Sequence, residues 1–441
     1  MATESAAKPK EPVRWNKALW AWAMYDWANS AYSTLSITVL VSYLQGSVLP
    51  GNAGILVWGW GIGISELCVA FLSPILGAVA DAHASKRQWL VGSTFVGAGA
   101  SMLMFFATPD RWWLLVPLFL TSHLMFELSQ GFYNGFLPEI ANDEQMGRVS
   151  AWGYALGYLG GGVALALFLV IFSHGWRLGL PHGGAEDTNG LLPRLGLCMM
   201  GVWWCLFTLP VFFWLHDRAT PPDNTQTVFA AARKALREVK GTLKNLRFYR
   251  PLSLFLIGFL FYNDGVQTVI SQSSVFAQRA LDFKTDELAI MILVIQFVAL
   301  PGAYLVGYLA DRYGQKLLLM ICLSAWVFVL IGAFFVQTKI QFWYLAVVLA
   351  LVLGGTQSVS RAIMGLMTPP AHAAEFFGFF NLSGKATSIF GPILFAQTLA
   401  LTNSPRLAVV SLLLFFLLGL TLVSFVHLPT GQSQARRVVE S

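Results

Sequence analysis

The strongest constraint on this chain of 441 residues is the recurrence of apolar runs long enough to cross a bilayer. A spanning helix needs ~20 mostly apolar residues to traverse ~30 Å of hydrocarbon. By that ruler twelve spans are expected, near 18–46, 54–80, 88–108, 112–137, 150–173, 194–215, 250–278, 287–310, 316–337, 341–367, 375–401 and 405–428. Composition agrees. Hydrophobic residues make up 56% of the chain and charged ones only 11%, against about 45–50% and 25% in soluble domains. No single soluble core buries so much apolar surface at this length. Disorder, a collagen-like fibre and a disulfide scaffold are excluded on the same grounds.

The first run follows Lys8, Lys10, Arg14 and Lys17 and is too long for a signal peptide, so it reads as a retained helix. Lysines and arginines gather on one side of the spans. That side holds the N-terminal tail, Lys86 and Arg87, Arg148, the stretch from Arg218 to Arg250, Arg312 and Lys316, and Arg436 and Arg437. Both termini are therefore expected in the cytoplasm, which requires an even number of spans. The four cysteines, Cys68, Cys198, Cys205 and Cys322, lie in apolar runs without CxxC or ligand spacing. No metal, redox centre or other cofactor is expected.

The two halves of the chain echo each other. GAVADAHASKR at 77–87 matches GYLADRYGQK at 307–316, with Gly77 and Gly307, and Asp81 and Asp311, separated by the same interval. Tyr25-Asp26 is answered by Tyr262-Asn263-Asp264, and Gly153-Tyr154 by Gly378-Phe379. The expected fold is an all-α membrane protein of twelve transmembrane helices in two pseudo-symmetric six-helix bundles, residues 18–215 and 250–428. Tails at 1–17 and 429–441 and a linker at 216–249 face the cytoplasm. The linker repeats Phe229, Ala232, Leu236, Val239, Leu243 and Leu246, with Arg233, Arg237, Lys240, Lys244 and Arg247 one position later. That pattern reads as a basic amphipathic helix on an anionic leaflet rather than a nucleic-acid contact. The doubled Gly-x-x-x-Asp-loop-Lys/Arg pattern resembles the loop signature of the major facilitator superfamily. Gly77, Asp81, Arg87, Gly307, Asp311 and Arg312 are its expected gating residues.

Charges inside spans cost roughly 2.5–3.5 kcal/mol each and mark function by default. Six occur: Asp26, Glu66, Glu127, Asp264, Arg361 and Lys385. Polar stripes accompany them at helical spacing: His123, Glu127, Gln130 and Asn134; Asp264, Gln267 and Ser271; Gln357 and Arg361; Asn381, Lys385 and Ser388. Lipid satisfies none of these, so they are expected to face a water-filled cavity or the opposite bundle. Asp26, Glu66, Glu127 and Asp264, with His123 as a relay, are the candidates for carrying protons. Arg361 and Lys385 are candidates for a substrate carboxylate. Tyr25, Asn29, Gln130, Asn134, Tyr262, Gln267, Gln357 and Asn381 complete the expected solute site. The blander alternative is a set of interhelical ion pairs, such as Glu127 with Arg361, that only fix packing. Gly153, Gly157 and Gly161 are explained by close helix contact alone.

The run Trp22-Ala23-Met24-Tyr25-Asp26-Trp27-Ala28-Asn29-Ser30-Ala31-Tyr32 is specific, as are Leu137-Pro138-Glu139-Ile140-Ala141, Gln357-x-x-Ser360-Arg361, Ala374-Glu375-Phe376-Phe377-Gly378-Phe379, Gly384-Lys385 and Gly391-Pro392. Together they resemble the vacuole-effluxer branch of the major facilitator superfamily over nearly the whole chain. The resemblance implies export of small solutes, with amino acids as the substrate class. It carries over to Asp26, Asn29, Arg361, Glu375 and Lys385. The compact length points to a bacterial inner membrane. The expected protein is a monomeric secondary transporter, not an enzyme, working by alternating access on a small-molecule substrate, with protons and the bilayer as its other partners and no nucleic acid. A receptor or scaffold that kept the fold is the alternative. No GxSxG nucleophile motif and no GxxxxGK[ST] loop occurs.

Overall fold

The computed structural model describes residues 15–50, 52–181, 187, 189–217, 249–385 and 390–440. The linker pattern expected at 216–249 lies almost wholly outside the described residues, as does Ser388. Helix α1 (Lys17–Leu35) runs on through π-helical turns at Ser36–Leu40 and Leu44–Val48. It is followed by α2 (Asn52–Ala82), α3 (Lys86–Leu103), α4 (Trp112–Gly135), α5 (Met146–His174) and α6 (Leu191–Trp214). The second half holds α7 (Arg250–Leu281), α8 (Thr285–Tyr313), α9 (Gln315–Phe335) and α10 (Lys339–Leu366). Its remaining elements are α11 (Ala373–Lys385), α12 (Phe390–Thr402), α13 (Pro405–Ser411), α14 (Leu413–Ser424) and the terminal α15 (Leu428–Glu440).

Ten helices among the described residues are long and apolar enough to span a membrane. The first and eleventh expected spans are not among them. Asp26, Asn29, Ser30 and Ser33 dilute α1, and residues 386–389 of the eleventh lie outside the described residues, which leaves two stretches of 13 residues on either side of them.

Within the first half α1 packs on α5 and α6, and α3 on α4 and α6; within the second α7 packs on α14, and α8 and α9 on α10. The halves meet where α2 lies along α11 and α5 lies along α8. Side chains such as Trp60, Phe71, Phe328 and Tyr344 stand on the outside, a surface suited to lipid rather than water. Trp22, Trp204 and Trp326 are fully buried between helices. Small residues permit the closest crossings. A Cβ on Gly160 would lie 2.5 Å from the Trp27 carbonyl, one on Gly157 2.8 Å from Ser30 Oγ, and one on Gly161 2.4 Å from Thr34 Oγ1. The glycine face of α5 is therefore the surface on which α1 sits.

Candidate functional site

The acidic motifs at the ends of α2 and α8 each reach across to the other half. Asp81 accepts from the amides of Ala374 at 3.2 Å and Glu375 at 2.9 Å, in the first turn of α11. Asp311 accepts from the amides of Gly147 at 2.9 Å and Arg148 at 3.0 Å, in the first turn of α5. A helix N-terminus presents unpaired amides and the positive end of its dipole, which a carboxylate satisfies. Here the cap comes from the opposite bundle. Gly77 and Gly307 make room for it: a Cβ would lie 2.3 Å from the Ala374 carbonyl oxygen and 2.2 Å from Ala151 Cβ, respectively. Both seams are shut at this end.

The basic residues in the seams differ from those the motif suggests. Lys86 lies 3.3 Å from Asp81 and also pairs with Glu139. Arg148 Nε donates to Asp311 at 2.9 Å, and Gln315 Nε2 at 2.7 Å. Arg87 turns instead to α6, its guanidinium 3.4 Å from the Phe212 carbonyl. Arg312 lies over the Tyr313 ring at 5.4 Å. The loop motif gives no helix rotation, and rotation decides which of two neighbouring basic side chains faces the seam.

Deeper in, Arg361 of α10 enters the first half. Its Nη1 lies 3.0 Å from Asp26 Oδ2 and 3.3 Å from Asn134 Oδ1. Its Nε donates to Ser150 Oγ at 3.0 Å and its Nη2 to the Ser150 carbonyl at 2.7 Å. The Tyr154 ring covers the guanidinium at 4.0 Å and the Trp22 ring at 4.9 Å. Tyr133 donates its hydroxyl to Asp26 Oδ2 at 2.7 Å. Only 1% of Arg361 and 6% of Asp26 is exposed, so the pair is a dry strut between halves. Arg361 thus meets Asp26 and not Glu127. Ser150, Tyr133 and Tyr154 complete this cage; of these, only Tyr154 stood out in the sequence, among aromatics near the repeat.

Lys385 of α11 reaches Glu66 of α2 at 3.1 Å and Glu127 of α4 at 3.0 Å. These side chains keep 22%, 16% and 12% of their surface exposed, more than the Arg361 cage does. His123 lies one turn from Glu127. Its Nε2 is buried with no partner among the described residues, and its ring lies 6.5 Å from that of Tyr32. Ligand atoms of Glu66, His123 and Glu127 converge within 4.8 Å. These are the residues whose donors converge as a metal set would, but the Lys385 ammonium already bridges both carboxylates. A metal would have to displace a resident cation.

The remaining expected residues divide. Tyr25 bonds Thr94 Oγ1 at 2.9 Å and Tyr262 bonds Ser360 Oγ at 2.7 Å, each inside its own half. Gln357 accepts from Tyr158 of the opposite half at 2.7 Å. Asn381 approaches Ser73 at 3.5 Å. Asn29 is buried with its Nδ2 unpartnered among the described residues. Gln130 is half-buried and Gln267 exposed. Asp264, fully buried, accepts from the Gly391 amide at 2.9 Å.

A family model described as "Vacuole effluxer Atg22 like" matches residues 60–436. The chain is 34% identical over 426 residues to the MFS-type transporter YxiO of Bacillus subtilis (strain 168), covering 95% of this chain and 96% of that one. It is 26% identical over 318 residues to Autophagy-related protein 22 of Yarrowia lipolytica, covering 65% of this chain and 51% of that one. Among solved structures, the human organic anion transporter MFSD10 (TETRAN) superposes with a TM-score of 0.71 at 13% identity, covering 92% of this chain and 99% of that one. At that identity the likeness speaks for the fold alone.

Proposed function

Since this chain belongs to the Vacuole effluxer Atg22 like family of major facilitator transporters, we propose that it exports small zwitterionic solutes, amino acids and their relatives, by proton-coupled alternating access. The observation that carries the reading is the pair of reciprocal caps. Asp81 and Asp311 each bind the opposite half at the closed end of the molecule. With both termini in the cytoplasm of a bacterial inner membrane, the closed end is the cytoplasmic one and the solute site faces out. Opening inward withdraws both carboxylates and leaves two helix N-termini uncapped, so the caps set the resting balance between states.

The Glu66–Lys385–Glu127 cluster suits the coupling role. A solute carboxylate competes for the Lys385 ammonium and frees a glutamate, which then takes up either the solute ammonium or a proton. His123 lies within reach of that exchange. Arg361 has its donors committed to Asp26, Asn134 and Ser150, so the carboxylate-binding role falls to Lys385. Asn29, Gln130, Asn134, Gln267, Gln357 and Asn381 are the neutral groups available for orientation. The protein acts as a monomer, without cofactor or nucleic acid.

Counterflow in proteoliposomes, with an amino-acid and dipeptide panel under an imposed pH gradient, tests this. The expected result is gradient-stimulated flux that Lys385→Ala abolishes. Flux indifferent to the gradient removes the coupling, and no flux of any solute removes the transport reading.

A further inference from the structure

Asp264 is the intramembrane acid that neither charge cluster uses. Arg361 is paired with Asp26, and Lys385 with Glu66 and Glu127. Among the described residues no Lys or Arg pairs with Asp264, which is 0% exposed. Its Oδ2 accepts from the Gly391 amide at 2.9 Å. Among the described residues its Oδ1 has no partner, and neither has Thr268 Oγ1, one turn along α7 and also 0% exposed. Both oxygens lie close to Gly391. A Cβ on Gly391 would lie 2.0 Å from Thr268 Oγ1 and 3.0 Å from Asp264 Oδ1. Asn263 Nδ2, donating to the Gly384 carbonyl at 3.1 Å, pins α7 against α11 beside it.

A buried carboxylate oxygen and a buried hydroxyl, adjacent and both unbonded, carry a desolvation cost that something must offset. We propose that Asp264 Oδ1 and Thr268 Oγ1 hold a sodium ion against Gly391. Hard oxygens favour a hard cation. One carboxylate balances one positive charge, so a divalent ion would leave an excess charge in the membrane. A proton on Oδ1 would neutralise Asp264 but leave the Thr268 hydroxyl, which makes no hydrogen bond to it, still unbonded; an ion between them satisfies both. The proposal rests on no assumption about which solute moves.

The test is sodium binding by the purified full-length protein, read as the shift in its thermal unfolding midpoint when sodium replaces N-methylglucamine at constant ionic strength. Sodium is expected to raise the midpoint saturably and potassium to do so far less. Thr268→Val, close in volume to threonine, should lose the sodium shift while still unfolding cooperatively, and Thr268→Ser should keep it. Asp264→Asn should lose it as well. Equal midpoints in sodium, potassium and N-methylglucamine, or a full sodium shift in Thr268→Val, overturn the proposal. Stabilisation by acid with no sodium response assigns the carboxylate a proton instead and likewise overturns it. None of these readouts requires flux, so a failed counterflow assay and a failed sodium titration are separate results.

Discussion

Asp81 does for α11 what Asp311 does for α5. Each carboxylate sits at the end of a helix in one bundle and accepts two consecutive backbone amides at the start of a helix in the other. Each is surrounded by a second layer of donors: Lys86 around Asp81, and Arg148 with Gln315 around Asp311. The arrangement is a two-fold relation between the seams, and it gives the closed end two latches of similar construction.

Neutralising one latch should therefore weaken closure without unfolding the protein. Asp311→Asn keeps an acceptor oxygen but removes the charge facing Arg148 and the helix end. Hydrogen bonds to charged groups contribute about 1.5–3 kcal/mol, so the closed state should lose roughly tenfold or more in relative population. Spin-label distances across the motif end should lengthen in Asp311→Asn and in Asp81→Asn alike. Unchanged distance distributions in both would mean the caps do not set the balance.

Steric occlusion should act in the same direction by another route. Gly77 faces the Ala374 carbonyl so closely that a methyl group would sit 2.3 Å from its oxygen. The clash is with backbone, so no rotamer change relieves it. Gly77→Ala is expected to favour the open motif end and to raise labelling of a cysteine placed in that seam, with the thermal midpoint little changed. Gly46→Ala, where a Cβ meets nothing within 4 Å, is the control and should leave labelling unchanged.

What could be read from sequence was what repeats or what offends lipid. The doubled motif announced Asp81 and Asp311, and the apolar ruler announced every charge placed within it. The pairing was not legible. Whether Arg361 meets Asp26 or Glu127 depends on how α10 is rotated against α1 and α4, and helical spacing within one helix carries no information about rotation against another. Ser150 and Tyr133 escaped notice, and Lys86 was read only as a cytoplasmic charge, for a related reason: their types are ordinary at helix ends, and only the partner across the seam makes them part of a site. Arg87 and Arg312 were the converse, basic residues in the right motif on the wrong side of their helices.

Arg87 also leads to a prediction at the membrane surface. Its amide donates to Asp217 Oδ2 at 3.3 Å, just beyond the end of α6. Burial pushes the Asp217 carboxyl above the usual aspartate range, the Arg87 amide only partly opposing it. A carboxyl whose folded pKa is raised favours the folded state while protonated. That contribution is complete below the unfolded value, about 3.9, and is lost as pH rises through the folded value. Asp217→Asn, which retains an acceptor for the Arg87 amide, should then be more stable than the parent at neutral pH, the difference vanishing in acid. Thermal midpoints of the two proteins across that pH range check it. A neutral-pH midpoint lower in Asp217→Asn contradicts the assignment.

The Asp26–Arg361 strut gives the sharpest energetic test. Both groups are dry, so their worth depends on being together: removing one partner of a buried pair costs about 3–5 kcal/mol, because the other charge remains without compensation. Arg361→Met leaves Asp26 facing Tyr133 with no cation; Asp26→Asn leaves Arg361 with neutral acceptors and the Tyr154 ring. Each single variant should unfold well below the parent. The double variant, with neither charge, should recover much of the loss, since two buried charges have been exchanged for uncharged groups of similar size. Arg361→Lys should not rescue, because a lysine offers one ammonium where the guanidinium reaches Asp26, Asn134 and both Ser150 oxygens from three nitrogens. The cycle is read from unfolding midpoints in one detergent at one pH. If the double variant is as unstable as the sum of the singles, the two residues act independently and the strut is not an energetic unit.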